Sequence, residues 1–292
     1  MVLRALEILR NFGQRTDLRK CFLHQCSHWL WKLRFRRAGR RKRLEAETLL
    51  SCNWKGGNDV NRELLARNID TCRSRLREAS ARWGEVTICA VTKTIDAETI
   101  NQAYGEGIRV IGENRVQEAR EKFPALNPDF SLHIIGQLQA NKVKYVLEFA
   151  RMIQSLDRIS LAREIDMRAK AAGLRMPVLV QVNIAREPQK AGVHEEELLP
   201  FLREAARLQG LSVEGLMAIM PLTDDQESLR PLFKRMRAWF DRLRDEAIEG
   251  VDMRVLSMGM SGDYLAAAEE GATMVRLGSA IFGARVAPVS AT

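Results

Sequence analysis

From residue 58 onward, apolar and polar positions follow one another in blocks with a regular beat. The first block, NDVNRELLARNIDTCRSRLREASARWG (58–84), sets Val60, Leu64, Leu65, Ile69, Cys72 and Leu76 along one helical face and predicts an amphipathic helix that stops at Gly84. Short, continuous apolar runs come next: VTICAVTK (86–93), IRVIG (108–112), LHIIG (132–136), MIQSL (152–156), PVLVQVNI (177–184), VEGLMAIM (213–220), MRVLSMG (253–259) and TMVRLG (273–278). Amphipathic stretches fill the gaps, for instance Leu198, Leu199, Leu202, Ala205 and Leu208, or Leu232, Phe233, Met236, Phe240 and Leu243. Runs that are apolar throughout predict strands buried on both faces, as in a parallel sheet covered by helices. Eight such units in succession predict an α/β fold closed into a (β/α)8 TIM barrel over residues 58–286. An open doubly wound sheet would carry a Gly-rich fingerprint after its first strand, and none is there. No long helical pattern follows the eighth run, so the helix at 59–82 is expected to fill that place in the outer ring.

Composition changes this picture mainly at the N-terminus. The net charge is +9, yet residues 1–56 hold 14 of the 46 Lys and Arg and 4 of the 37 Asp and Glu, leaving 32 basic and 33 acidic residues for the rest. The basic character therefore belongs to an N-terminal extension, residues 1–57, and the barrel is close to neutral. Within the extension, RFRRAGRRKR (34–43) offers an arm for nucleic acid or an anionic surface. Cys21, His24, Cys26 and His28 have a spacing that matches no usual zinc pattern, so no metal site is expected. The expectation is a poorly ordered extension, with an alternative start near Val60 or Leu64 ahead of the first clean helix, and a short tail at 287–292. No apolar run approaches the roughly 18 residues of a transmembrane helix. Five scattered cysteines suit a reducing compartment, so a soluble, cytoplasmic protein is expected, as a monomer.

The barrel changes the standing of one lysine. TICAVTKT (87–94) taken alone reads as a strand that leaves the core with a solvated amine, Lys93. In a barrel, however, residues at the C-terminal ends of the strands face the active site. Strand 7 ends in SMGMSGD (257–263) and strand 8 runs into RLGSAIFG (276–283). Loops after these two strands commonly bind phosphate, and Ser257, Gly259, Ser261, Gly278 and Ser279 supply small hydroxyls and accessible backbone N–H groups. Arg276 lies beside them, and a guanidinium inside a barrel needs a partner. Asn114 closes strand 2; His133, Gly136, Gln137 and Asn141 follow in or after strand 3; Asn183 and Met217 come from strands 5 and 6. An amine on one side, a phosphate cradle on the other and an arginine between them suggest a phosphorylated aldehyde held as an imine, and pyridoxal 5′-phosphate is such a ligand.

In order along residues 58–285, AVTKT, GENRVQEAREKF, LHIIGQLQANKVKYV, QVNIAREPQKAGV, GLMAIM and LSMGMSGDYLAAAEEGATMVRLGSAIFGAR resemble the pyridoxal-phosphate homeostasis proteins, whose fold is that of the alanine racemase N-terminal domain. The resemblance does not extend to the basic extension. It implies a Schiff base on Lys93, a phosphate held by Ser257, Ser261, Gly278 and Ser279, Arg276 facing the pyridine nitrogen, and Asn114 near the ring. Lys190 and its loop REPQKAG also match the family, with no role assigned.

An arginine against the pyridine nitrogen disfavours its protonation and weakens the cofactor as an electron sink. Racemases with that arrangement use a second base, a tyrosine from an added domain. Here Tyr104, Tyr145 and Tyr264 fall in predicted helices, Tyr264 nearest the cradle as packing or ligand contact, and the chain ends soon after strand 8. The expected function is intracellular pyridoxal-phosphate homeostasis, with sequestration of the cofactor and delivery to apo-enzymes, without robust catalysis. A low-activity amino-acid racemase is the alternative.

Overall fold

The computed structural model describes residues 56–283. The described chain runs α1 (Gly56–Ala79), β1 (Thr87–Val91), α2 (Ala97–Gly105), β2 (Val110–Glu113), α3 (Val116–Lys122), β3 (Ser131–Ile134), α4 (Val143–Val146), β4 (Met152–Leu156), α5 (Ile159–Ala171) and β5 (Met176–Val182). It continues with α6 (Glu195–Ala205), β6 (Leu211–Ala218), α7 (Arg230–Asp245), β7 (Val251–Met260), α8 (Tyr264–Glu269), β8 (Met274–Leu277) and α9 (Ser279–Phe282). The strands pair in parallel, in sequence order, and β8 pairs back to β1, so the sheet is a closed barrel.

Burial explains why the runs read as continuous apolar stretches. Along β1, Ile88 and Ala90 join the large core between sheet and helices, whereas Cys89 and Val91 pack inside the barrel with Ile135 and Met274. On the other side of the interior, Met152, Leu179 and Met217 form a second cluster. Most positions on both faces of the strands are therefore buried, with exposed side chains such as Thr87, Asp252 and Arg254 near the strand starts, and period-two polarity is largely lost.

The eighth place in the ring is filled as expected. Helix α9 is a single turn, and α1 packs beside it, with Asn68 Nδ2 donating to Ile281 O at 2.9 Å and Cys72 Sγ lying 3.8 Å from Ala280 O. The helix ends at Ala79, short of the expected stop; a turn through Trp83 reaches Gly84, which has φ +98°. Trp83 Nε1 then ties this turn to Glu269 O at 2.8 Å, which closes the ring between α1 and α8. The basic segment lies outside the described residues, together with its proposed arm and its Cys and His set. Among the described residues, no helix is long and apolar enough to cross a membrane, and no cluster of His, Cys, Asp and Glu could hold a metal ion.

Candidate functional site

Strand β1 ends at Val91, so Lys93 stands in a turn just beyond the strand, half-buried at the rim. The turn is closely determined. Thr92 N donates to Gly112 O at 3.0 Å and extends the ladder by one residue, and Thr92 Oγ1 donates to Glu113 Oε1 at 2.7 Å. Thr94 has φ 65°, a left-handed conformation that a β-branched residue adopts only under constraint. Backbone strain thus sits next to the lysine that the sequence singled out.

Strand β8 lies beside β1, with Cys89 in register with Arg276. The Arg276 side chain is buried inside the barrel. Its Nη1 donates to Ser257 O at 2.9 Å and to Ser257 Oγ at 2.8 Å, and its Nη2 donates to Ala218 O at 2.7 Å. Burial lowers its pKa to about 10, which still leaves the group charged at neutral pH. Burial likewise pushes the neighbouring Cys89 thiol up to about 12, so it stays protonated.

The contacts of Arg276 orient a longer chain of hydrogen bonds. A guanidinium only donates, so Ser257 Oγ accepts from it and gives its own proton to Gln154 Oε1, at 2.7 Å. That assignment fixes the Gln154 amide: Nε2 donates to His133 Nδ1 at 2.9 Å. His133 then carries its proton on Nε2 and donates to Ser131 Oγ at 3.0 Å. Burial alone drops the His133 pKa to about 4, which agrees with a neutral ring. A polar wire therefore crosses the barrel interior from β8 through β7 and β4 to β3.

The loop after β7 meets the start of α9. Ser261 Oγ accepts from Gly278 N at 3.0 Å and from Ala280 N at 3.2 Å. An oxygen is thus seated on backbone N–H groups of the loop after β8, the arrangement that suits an oxyanion. Ser279, at the head of α9, is exposed beside it. Two glycines make the surrounding backbone possible. A Cβ on Gly259, at φ +91°, would lie 2.6 Å from Ala267 Cβ, and one on Gly136 would lie 2.3 Å from Asn114 O.

The expected site residues separate into two levels. Lys93, Asn114, Gly136, Ser261, Gly278 and Ser279 lie at the rim. Arg276, Ser257 and His133 lie beneath, joined by Gln154, and Met217 is fully buried in the interior cluster. Ser257 therefore has its hydroxyl engaged below the cradle. Asn183 is occupied too: Nδ2 donates to Glu187 O at 2.9 Å and Lys190 O at 3.1 Å, and Oδ1 accepts from Glu187 N at 3.1 Å. It fastens the REPQKAG loop, whose Lys190 Nζ reaches Met220 O at 2.9 Å beyond β6. In the sequence Gln154 stands out only as part of the strand MIQSL. Its one available signal is a lone amide in an otherwise apolar run, which predicts a buried partner.

The model of the "Alanine racemase, N-terminal domain" family matches residues 60–286. A "Pyridoxal phosphate homeostasis protein" of Aquifex aeolicus is 42% identical over 216 residues, covering 72% of this chain and 94% of the relative. The chain belongs to the pyridoxal phosphate homeostasis proteins, within the alanine racemase N-terminal-domain family. Solved structures agree. A protein of unknown function from Bifidobacterium adolescentis superposes with TM-score 0.73 at 34% identity, over 77% of this chain and 96% of its own. PipY of Synechococcus elongatus, solved with PLP bound, superposes with TM-score 0.68 at 34% identity, over 75% of this chain and all of its own. In this homeostasis-protein fold, all three tyrosines of the chain are engaged on the outer layer. Tyr264 meets Cys72 and Arg75 of α1, Tyr104 packs edge-on to Phe130, and Tyr145 lies against Arg120 and Lys144.

Proposed function

We propose that this protein binds pyridoxal 5′-phosphate, holds it as a Schiff base on Lys93, and serves intracellular cofactor homeostasis by sequestering it and delivering it to apo-enzymes, as a monomer and without robust catalysis. The observation that carries the reading is the pairing of a constrained Lys93 turn on β1 with a buried, charged Arg276 on the adjacent β8. The residues fit the group. The hydroxyls of Ser261 and Ser279, with the Gly278 and Ala280 N–H groups that here hold Ser261 Oγ, would donate to its phosphate, and Asn114, at the rim, would lie beside its ring. When bound, the cofactor supplies an aldehyde that condenses with an amine. Arg276 would meet the pyridine nitrogen with a fixed positive charge, because Ser257 and Ala218 hold the guanidinium in place. A nitrogen facing that charge stays unprotonated, which suits holding a carbonyl more than stabilising a carbanion. The PLP-bound relative PipY supports the same reading.

The test is spectroscopic. Protein purified with the cofactor should be yellow, lose the colour as Lys93→Ala, and retain the cofactor through denaturation after borohydride reduction. A colourless wild type, or a Lys93→Ala variant that is still fixed by borohydride, overturns the proposal. Robust racemisation of L- or D-amino acids by the purified protein would replace it with the racemase reading.

A further inference from the structure

Three side chains outside the rim converge on the turn that carries Lys93. Lys122, the last residue of α3, donates to Thr92 O at 2.8 Å and to Glu113 Oε1 at 3.1 Å, and it pairs with Glu118 one helical turn earlier. Glu118 Oε1 in turn accepts from Thr94 N. The carbonyl of Thr92 belongs to the peptide unit before Lys93, and the N–H of Thr94 to the one after it. Both peptide units of Lys93 are therefore anchored, and both anchors come from α3. Glu113, on β2, completes the set by accepting from Thr92 Oγ1.

The arrangement is costly as a mere stability device. Two carboxylates share one ammonium, with Glu113 only 1% and Lys122 15% exposed, and Glu113 Oε2 is buried without a hydrogen-bond partner. Burial raises the Glu113 pKa against the opposing pull of Thr92 and Lys122. Buried ion pairs seldom add net stability over apolar packing, so their retention calls for another reason. The left-handed φ of Thr94 supplies one, because strain persists only where the surroundings over-determine it.

We propose that Glu113, Glu118 and Lys122 form a positioning clamp that fixes the backbone on both sides of Lys93 and thereby aims its amine at an incoming aldehyde. This rests on the assignment of Lys93 above. In the step served, Lys93 Nζ adds to the aldehyde carbon, a C=N bond forms, the carbonyl oxygen leaves as water, and no oxidant or reductant is required. The clamp touches neither reactant, so its effect lies in orientation; a misplacement of about 1 Å costs on the order of a hundredfold in rate.

Two ligands separate orientation from general damage. Pyridoxal 5′-phosphate reacts with Lys93, whereas pyridoxine 5′-phosphate has the same ring and phosphate but no aldehyde. For Glu118→Ala, the rate of Schiff-base formation with the former should fall at least about tenfold. The affinity for the latter should stay within about twofold of wild type, and Glu118→Gln, which keeps an acceptor for Thr94 N, should restore most of the rate. An unchanged rate in Glu118→Ala overturns the clamp, as does an equal loss for both ligands. Lys122→Gln carries the same comparison if Glu118→Ala does not fold. A wild type that binds both ligands without forming a Schiff base would refute the role of Lys93 itself, and Lys93→Ala, measured in parallel, identifies that case.

Discussion

Gln154 joins the charged and neutral ends of the interior network. Its carbonyl takes the Ser257 proton and its amide holds His133 Nδ1, so both side-chain groups are used and neither partner has another route to water. Replacing it with leucine keeps the volume and strands two buried polar groups, at about 1–3 kcal/mol each. Gln154→Leu should lower unfolding free energy by about 3 kcal/mol, read from the urea midpoint at constant slope, and a cost under about 1 kcal/mol would remove Gln154 from the network. The sequence hides such a residue for a physical reason. Lys93 and Arg276 announce themselves through charge, which is expensive to bury, but an amide in MIQSL carries no charge and only the closed barrel brings Ser257 and His133 to it. Met217 shows a second limit: a run apolar on both faces gives no orientation, and only the register of the closed barrel turns this side chain into the interior cluster.

Among the elements, all eight strands are legible as apolar runs, while their ends are not. The run predicted at 86–93 is a strand only over Thr87–Val91, because the Thr92 and Thr94 contacts with β2 and α3 turn the chain earlier than composition suggests. The run predicted at 253–259 extends over Val251–Met260. The loop after β5 had sequence likeness but no role, and its contacts supply one. Asn183 holds Glu187 and Lys190, Gln181 Nε2 holds Ala191 O at 2.8 Å, and Lys190 crosses to Met220 O, so residues 183–193 form a strap from the β5 rim to the β6 rim. Asn183→Ala removes three of these bonds at once. Amide hydrogen exchange should accelerate at least about tenfold at Glu187, Lys190 and Val193 while the β1, β4 and β8 amides keep their protection; equal protection throughout would mean that backbone pairing alone holds the strap.

At the scale of the whole molecule, the interior wire couples folding to pH through one imidazole. His133 has a folded-state pKa of about 4 against an unfolded value of 6.5, so between these values the unfolded chain takes up a proton that the barrel refuses. Unfolding therefore gains ground as pH falls: the contribution of a neutral His133 is fully present above about pH 6.5 and is lost progressively down to about pH 4, by about 3 kcal/mol in all. Glu113 and Asp263 act in the opposite sense, since burial raises both and protonation at low pH relieves them, whereas Glu118 and Asp166, held low by their hydrogen bonds, lose support only at more acidic pH. The total curve mixes these terms, so the decisive quantity is a difference. His133→Asn cannot titrate in this range and should be less stable than wild type at pH 7.5, with the gap closing by about 3 kcal/mol between pH 7 and pH 4 in urea titrations. A gap that is constant over that range would show that the His133 ring is solvated or charged in the barrel. Because Arg276 lies at the other end of the same wire, it would also mean that the guanidinium beneath the rim is held by Ser257 and Ala218 alone.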